Sequence, residues 1–285
     1  MTRVLLATFS LLPEGEEGGE LLVTALAERG VEARWAVWDD PDVDWAAADL
    51  VVLRSTWDYQ RRYAEFLAWL RGVERSTRVL HGSDLVAWNA DKAYLLELGR
   101  EVPVVPTALL DDRGLRVGLQ EALDRWGAVV VKPRTGAGGV GVVVAERTDD
   151  PRLEGLVAGP WVVQPLVASV RTVGESSVWV LDGRVVGQVD KRPSGSEVRV
   201  HELYGGSSVA VEVDPARADV ARAAVAAAGR LLAGPPAYAR VDLVQLDGAW
   251  VVSELELIEP GLYLDVLPGL AGPFADLVGS VLAAR

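Results

Sequence analysis

Cysteine is missing from all 285 residues, which excludes disulfides, thiolate nucleophiles and zinc–thiolate sites and leaves the redox compartment unreadable. Histidine occurs only as His81 and His201, so a three-histidine metal site is excluded and a Ser-His-Asp triad has just two candidate bases. No uncharged apolar run reaches the roughly 18 residues of a membrane-spanning helix. The apolar start, residues 3–12, resembles a signal peptide at first sight. Acidic Glu14, Glu16, Glu17 and Glu20 follow it without a small-residue cleavage site, so it reads as a first strand and the chain as cytoplasmic. Lysine is nearly absent too, with Lys92, Lys132 and Lys191 as its only occurrences. Basic residues number 28 against 41 acidic ones, a net charge of −13 that repels phosphate backbones and anionic lipid and argues against nucleic acid or membrane as partner. No internal repeat is visible, and 29 glycines with 15 prolines are ordinary for a globular chain. At roughly 150 residues per domain the length implies about two domains with ample core.

What is present begins as a βαβ pattern. Apolar runs near 3–9, 31–38, 50–54 and 78–81 alternate with helix-like stretches near 17–29 and 60–73, which predicts a parallel sheet in an α/β unit. A helix is expected near 90–99, after an Asn89 cap. Residues 102–107 then run extended, because each proline biases its predecessor away from helix, and mark a domain boundary. The middle section reads as a small α+β unit: helix near 116–126, strand 128–132, a glycine turn, strand 140–145, a short helix near 152–157 and strand 161–165. The last section shows two long strands within 174–192, a helix near 215–232, strands 238–246 and 249–257, and a C-terminal helix near 273–284.

Three features carry chemistry. Gly136-Ala137-Gly138-Gly139-Val140-Gly141 fits the spacing of a dinucleotide-binding turn, yet a β-branched, strand-like run follows it where that fold requires a helix. A strand, a glycine turn and a second strand make a hairpin flap, with backbone N–H groups open to phosphate. No Walker lysine follows the glycines, and a hairpin turn without any ligand is the plain alternative. Lys132 ends an apolar strand beside that flap, where an unpaired ammonium is unfavourable unless an anion meets it. Lys92 and Lys191 have solvated helix-surface and strand-end alternatives. The sharpest feature is acidic: Arg240 and Asp242 share one face of a strand, Asp247-Gly248 makes the turn, and Glu254 and Glu256 share one face of the returning strand. If the register aligns them, three carboxylates meet beside one arginine, a set suited to Mg²⁺; the alternative is a solvent-facing sheet with its charges paired. Arg54-Ser55-Thr56-Trp57-Asp58 follows the strand 50–53, beyond the carboxyl end where open α/β sheets bind ligands, and helix capping is its plainer reading.

Taken in this order over roughly residues 85–265, the motifs resemble those of the ATP-grasp superfamily of carboxylate–amine ligases, and within it the O-ureido-D-serine cyclo-ligase and RimK-like group. Arg240-Val241-Asp242, Glu254-Leu255-Glu256 and Pro260-Gly261 are similar to the superfamily's strand pair ending in Glu-x-Asn and then Pro-Gly. Glu256 stands where Asn is usual, and one extra residue precedes Pro260. The resemblance implies an α/β (α+β) ATP-grasp fold: an N-terminal parallel-sheet unit over 1–88, a central subdomain with the flap over 89–168, and a C-terminal subdomain with the metal-binding strands over 169–285. It implies ATP and Mg²⁺ as cofactors, with Lys92, Lys132 and Gly136, Gly138 and Gly139 at the phosphates. Gln164, Pro165, Leu166 and Val167 would form the hinge at adenine, with Glu175 at ribose. Asp242, Glu254 and Glu256 would hold metal, while Arg240, Lys191 and Arg199 would act at the reacting centre. Arg54, Ser55, Thr56, Trp57, Asp58, Gly205 and Gly206 would contact substrate.

The expected reaction is phosphorylation of a small-molecule carboxylate to an acyl phosphate, followed by attack of an amine-type nucleophile, with an intramolecular cyclo-ligase as one form. The alternatives are an intermolecular amino-acid or dipeptide ligase and an ATP-grasp kinase without condensation. A nucleotide-binding protein without turnover and a nicotinamide enzyme stand further off. A homodimer completes the expectations for partners.

Overall fold

The computed structural model describes residues 2–157, 159–195 and 197–284. Its first unit holds β1 (Thr2–Thr8), α1 (Gly19–Ala27), β2 (Val31–Val37), β3 (Leu50–Ser55) and α2 (Tyr63–Glu74), with the strands in the order β2-β1-β3 and both pairings parallel. The apolar start is thus the central strand of a sheet. The run expected as a strand at 78–81 makes a single parallel bridge, Val51 to Val79, rather than a full ladder.

Of the expected helix at 90–99 only Tyr94–Leu98 (α4) is helical, and it is preceded by a separate helix that the sequence reading missed, α3 (Ser83–Ala90). Asn89 does not cap the second; it is buried in the last turn of the first, donating to the Leu255 carbonyl at 2.8 Å and accepting from the Leu257 N–H at 2.8 Å. The break between the helices is what frees Lys92. Its backbone N–H donates to the Arg134 carbonyl at 2.9 Å, and the neighbouring Asp91 pairs with the Arg134 guanidinium.

The middle unit comprises β4 (Ala108–Leu110), α5 (Leu115–Trp126), β5 (Val129–Pro133), β6 (Val143–Ala145) and β7 (Trp161–Pro165), in the sheet order β4-β7-β5-β6. Strands β5 and β6 pair antiparallel, Val129 opposite Ala145, so the glycines between them do form a hairpin. The second arm is shorter than the expected 140–145, and the segment read as a helix near 152–157 is a 3-10 turn over Pro151–Gly155.

The last unit contains β8 (Glu175–Leu181), β9 (Arg184–Arg192), β10 (Ser207–Val211), α6 (Pro215–Leu231), β11 (Tyr238–Leu246), β12 (Ala249–Glu256) and α7 (Ala271–Ala283). Five antiparallel strands run in the order β10-β9-β8-β11-β12. β10 escaped the sequence reading, since its run is short and only half-buried. Side-chain alternation divides this sheet cleanly. Val178, Val180, Val241, Leu243 and Leu255 pack under the alanine-rich stripe of α6, which carries Ala221, Ala224 and Ala228. The opposite face carries Glu175, Ser177, Asp242, Glu254 and Glu256.

β12 is an edge strand, and edge strands need their free backbone groups covered. Asn89 does so at Leu255 and Leu257, the Tyr94 hydroxyl accepts from the Leu255 N–H at 2.7 Å, and the extended stretch makes a parallel bridge, Val104 to Val252. No helix among the described residues is long and apolar enough to cross a membrane.

His81 joins the first unit to the last. Its Nε2 accepts from the Ala237 N–H at 2.9 Å, its Nδ1 lies 2.6 Å from the Leu257 carbonyl, and its ring stacks on Tyr238. Burial pushes the imidazole down to about 4 from an ordinary 6.5, so the native protein binds fewer protons than the unfolded chain between those values. This contribution to stability is whole above pH 6.5 and is lost as the pH falls towards 4. It amounts to about 3 kcal/mol. Urea midpoints at pH 7 and pH 4.5 should show the loss, and His81→Gln should remove this share of the pH dependence while lowering stability at both values.

Candidate active site

A cleft of about 1010 Å³ opens between the middle sheet and the charged face of the five-stranded sheet, with residues of the first unit at one end. Its floor follows from the β11–β12 register, in which Arg240 lies opposite Glu256 and Asp242 opposite Glu254. A bulge between Asp242 and Leu243 makes Ser253 the extra residue, and Ser253 Oγ donates to the Asp242 carbonyl at 3.2 Å.

The three carboxylates do not converge on one point. Residues two apart on a strand are about 7 Å apart, and the Arg240 guanidinium fills the gap. It donates through Nε and Nη2 to Asp242 at 2.9 and 2.8 Å, and through Nη2 to Glu256 at 2.5 Å. Glu254 is engaged instead in an ion pair with Lys92 Nζ at 2.7 Å. Among the described residues no group of three or more His, Asp or Glu side chains is gathered closely enough to hold a metal. The expected triple carboxylate centre is therefore an arginine-threaded row. Mg²⁺ characteristically takes one or two protein carboxylates and completes its shell with phosphate oxygens and water, so the donor set fits that ion in the presence of a nucleotide.

The electrostatics of the row follow from burial and neighbours. Burial raises the Asp242 carboxyl, but Arg240, Lys191 and the Ser177 hydroxyl more than offset it, and the group sits well below the usual range. Burial pushes Glu256 up to about 7, with Asp242 and Glu254 adding to the rise against the pull of Arg240. Glu175, on β8, is also raised, by burial and by Asp242. Such carboxylates are poised to gain from an added cation.

All three lysines reach the cleft. Lys92 is buried and also donates to the Gly136 carbonyl at 2.7 Å, tying the acidic strand to the base of the flap. Lys191 is buried rather than solvated, 3.4 Å from Glu175 and 3.8 Å from Asp242, with the Tyr263 ring below it. Lys132 has no carboxylate within 4 Å among the described residues; burial lowers its ammonium and Lys92 adds to that, with Glu254 opposing. The flap glycines 138 and 139 both have positive φ, at 60° and 71°, where a side chain would be strained. Arg199, paired with Glu197 at 2.6 Å and stacked on Tyr204, sits under Gly139 at the mouth. Gln164, Pro165, Leu166 and Val167 line the opposite wall, with Gln164 held by Thr107 and the Leu166 N–H by the Ala128 carbonyl. The Val167 N–H has no protein partner among the described residues.

The stretch expected to meet substrate behaves differently. Of Arg54, Ser55, Thr56, Trp57 and Asp58 only Trp57 lines the cleft. Arg54 is fully buried behind the wall, donating to Glu16 at 2.8 Å and to the Pro260 carbonyl at 2.7 Å. Ser55 bonds Thr8, Thr56 is enclosed, and Asp58 accepts from the Trp38 indole. These polar groups end a strand buried on both faces, so they turn inward. Gly205 and Gly206 are likewise outside the lining; Gly205 closes a 3-10 turn, and a side chain at Gly206 would meet the Val200 carbonyl at 2.0 Å. Conversely, Glu16, Glu259 and Tyr263 line the cleft, and the sequence reading assigned them no role there. A run of glutamates beyond β1, and a glutamate directly before Pro260-Gly261, were the available signals.

Comparison with known proteins decides the family. The chain is 34% identical over 265 residues, 85% of its length and 86% of the relative's, to the cycloserine biosynthesis protein DcsG of Streptomyces lavendulae. The chain belongs to the DcsG family of ATP-grasp ligases. A family profile for the N-terminal domain of D-cycloserine synthetase DcsG matches residues 4–81. The crystal structure of D-cycloserine synthetase DcsG superposes with a TM-score of 0.87 at 31% identity, covering 98% of this chain and 99% of that one. The ATP-grasp fold is seen again in a RimK domain protein of Sphaerobacter thermophilus, with a TM-score of 0.70 at 20% identity over 97% of this chain and 99% of that one. As a DcsG-family member the chain is an ATP-dependent ligase that forms carbon–nitrogen bonds.

Proposed function

We propose that the cleft binds Mg·ATP together with an amino-acid-like carboxylate, activates that carboxylate as an acyl phosphate, and closes it onto an amine-type nitrogen of the same molecule, as in D-cycloserine formation. The observation that carries this reading is the meeting of Lys92, Lys132 and the Asp242–Glu254 pair in one cleft beneath a glycine hairpin. Spans 89–168 and 169–285 then act as two jaws on the nucleotide, with 1–88 closing the substrate end.

Each residue has a physical task. Lys92, buried, and Lys132, half-buried, place two ammonium groups at the phosphate end, and hairpin N–H groups cover the chain from above. The Val167 N–H supplies an edge for adenine, and Glu175 lies where ribose hydroxyls can bond. One or two of Asp242, Glu254 and Glu256 would hold Mg²⁺, which when bound would supply charge neutralisation for phosphoryl transfer. Arg240 and Lys191 face the carboxylate and stabilise the oxyanion formed on amine attack, before orthophosphate leaves. Arg199 and the flap exclude water, which would otherwise hydrolyse the acyl phosphate. A single-molecule substrate needs no second acceptor pocket, and effective molarity replaces it.

The test is ADP release with O-ureido-D-serine against a panel of amino acids, with mass analysis of the product. Stimulation with loss of mass to a ring supports the reading. A stable phosphorylated product formed without amine dependence would establish the kinase alternative, and stimulation that requires two amino acids the intermolecular one. Lys132→Met separates ligand binding from structure: with no carboxylate partner to strand, the ligand-free protein should melt no lower than the parent, while the ATP KM rises roughly tenfold to hundredfold. An unchanged ATP KM would make this lysine structural.

A further inference from the structure

Glu259 is only 6% exposed, yet it lines the cleft, and its carboxylate has neither a hydrogen-bond nor an ion-pair partner among the described residues. Buried carboxylates are normally paired, so an unpartnered one at a cleft surface points to a missing ligand. Its surroundings are built. The Trp57 indole donates to the Glu259 backbone carbonyl at 3.2 Å and so fixes the segment, while Gln60 Nε2 donates to the Trp57 carbonyl at 3.1 Å. Gln60 also lines the cleft, and its Oε1 is buried without a partner. Two acceptors bound to the same tryptophan thus lack donors at the end of the cleft formed by the first unit.

We infer that Glu259, with Gln60, is the docking point for the cationic α-amino group of the substrate, and that this pair makes the enzyme select amino acids over simple carboxylic acids. This rests on the reading that the acid activated in the cleft is amino-acid-like. An ammonium group offers three donors and a positive charge, which matches one carboxylate and one amide oxygen. The layout of charge also suits an α-amino acid. Its nitrogen lies one carbon from the carboxylate, and Glu259 lies within electrostatic reach of Arg240, the residue placed at the reacting carboxylate. Burial, with Glu256 adding to it, holds the Glu259 carboxyl well above its usual range. An arriving ammonium relieves this cost, whereas a neutral substituent leaves it in place.

The experiment compares O-ureido-D-serine with its des-amino analogue, 3-(ureidooxy)propanoate, by calorimetric binding in the presence of Mg²⁺ and a non-hydrolysable ATP analogue. The parent should prefer the amino compound by roughly tenfold to hundredfold, as expected for a charge-assisted contact. Glu259→Gln should abolish most of that preference, leave binding of the des-amino compound and of the nucleotide within about twofold, and raise KM for the amino compound more than it lowers kcat. Nucleotide binding by the variant reports that the cleft is intact; Glu259→Asp should recover part of the preference. Equal binding of the two compounds by the parent, absence of binding by both, or full preference retained in Glu259→Gln would overturn the inference. Preferential binding of the amino compound without ring closure would instead overturn the cyclo-ligase reading and leave the role of Glu259 standing.

Discussion

Asp242→Asn should reduce Mg-dependent ADP formation by roughly a hundredfold to a thousandfold, the loss seen when one pre-organised charge is removed from a reacting centre. Asp242 does three things at once: it accepts both arms of Arg240, it accepts from Ser177 at 2.5 Å, and it lies 3.8 Å from Lys191. Asparagine keeps the shape and one acceptor but removes the charge. Arg240 retains Glu256, so the sheet should stay folded with a lowered melting temperature and an unchanged far-ultraviolet spectrum. Titration of ADP release against Mg²⁺ provides the measurement. Turnover near the parental rate at ordinary Mg²⁺ would dismantle the assignment of this carboxylate to the metal and phosphate end of the cleft.

The second large effect lies outside the cleft floor. The Arg54–Glu16 pair is buried at both ends, and Glu16 also accepts from the Leu262 N–H at 2.7 Å, so it ties the first unit to the segment after Pro260-Gly261. Glu16→Ala leaves a fully buried guanidinium without its counter-charge and should cost about 3–5 kcal/mol in urea unfolding. Replacing both partners, Glu16→Leu with Arg54→Met, should cost clearly less, because no unpaired charge remains. Arg54 donates to the Pro260 carbonyl and packs over the Phe274 ring, so some loss persists in the double variant. An additive double variant would mean that the pair is not the source of the stability. Arg54→Met alone should change the unfolding midpoint far more than any substrate KM, contrary to a role in direct substrate contact.

The alternation of Arg240 with Asp242 and of Glu254 with Glu256 could be read directly from the chain, because a strand repeats every two residues and Asp247-Gly248 marks the turn between them. The glycine hairpin could be read in the same way, since β-branched residues on both sides exclude the helix that a dinucleotide turn needs. The break at Lys92 could not. Residues 90–99 have acceptable helix propensity throughout, yet α4 starts only at Tyr94, because the Lys92 N–H bonds the Arg134 carbonyl, a contact across 42 positions. Arg54 misled for a related reason. Polar residues past a strand end suggest a ligand, but Glu16 arrives from the β1–α1 segment and satisfies the charge internally.

Local periodicity and residue chemistry were therefore enough for most of the long strands, the flap and the alternation of charged groups on β11 and β12, since each depends on neighbours within a few positions, whereas the short β4 and β10 carried too weak a pattern. Partner choice among those groups depended on long-range packing. It set which carboxylate Arg240 clasps and, among the described residues, which lysine lacks a counter-ion and that Glu259 faces the cleft without a donor. Charge pairing acts through space over a few ångströms, and sequence separation carries almost no information about distances of that size.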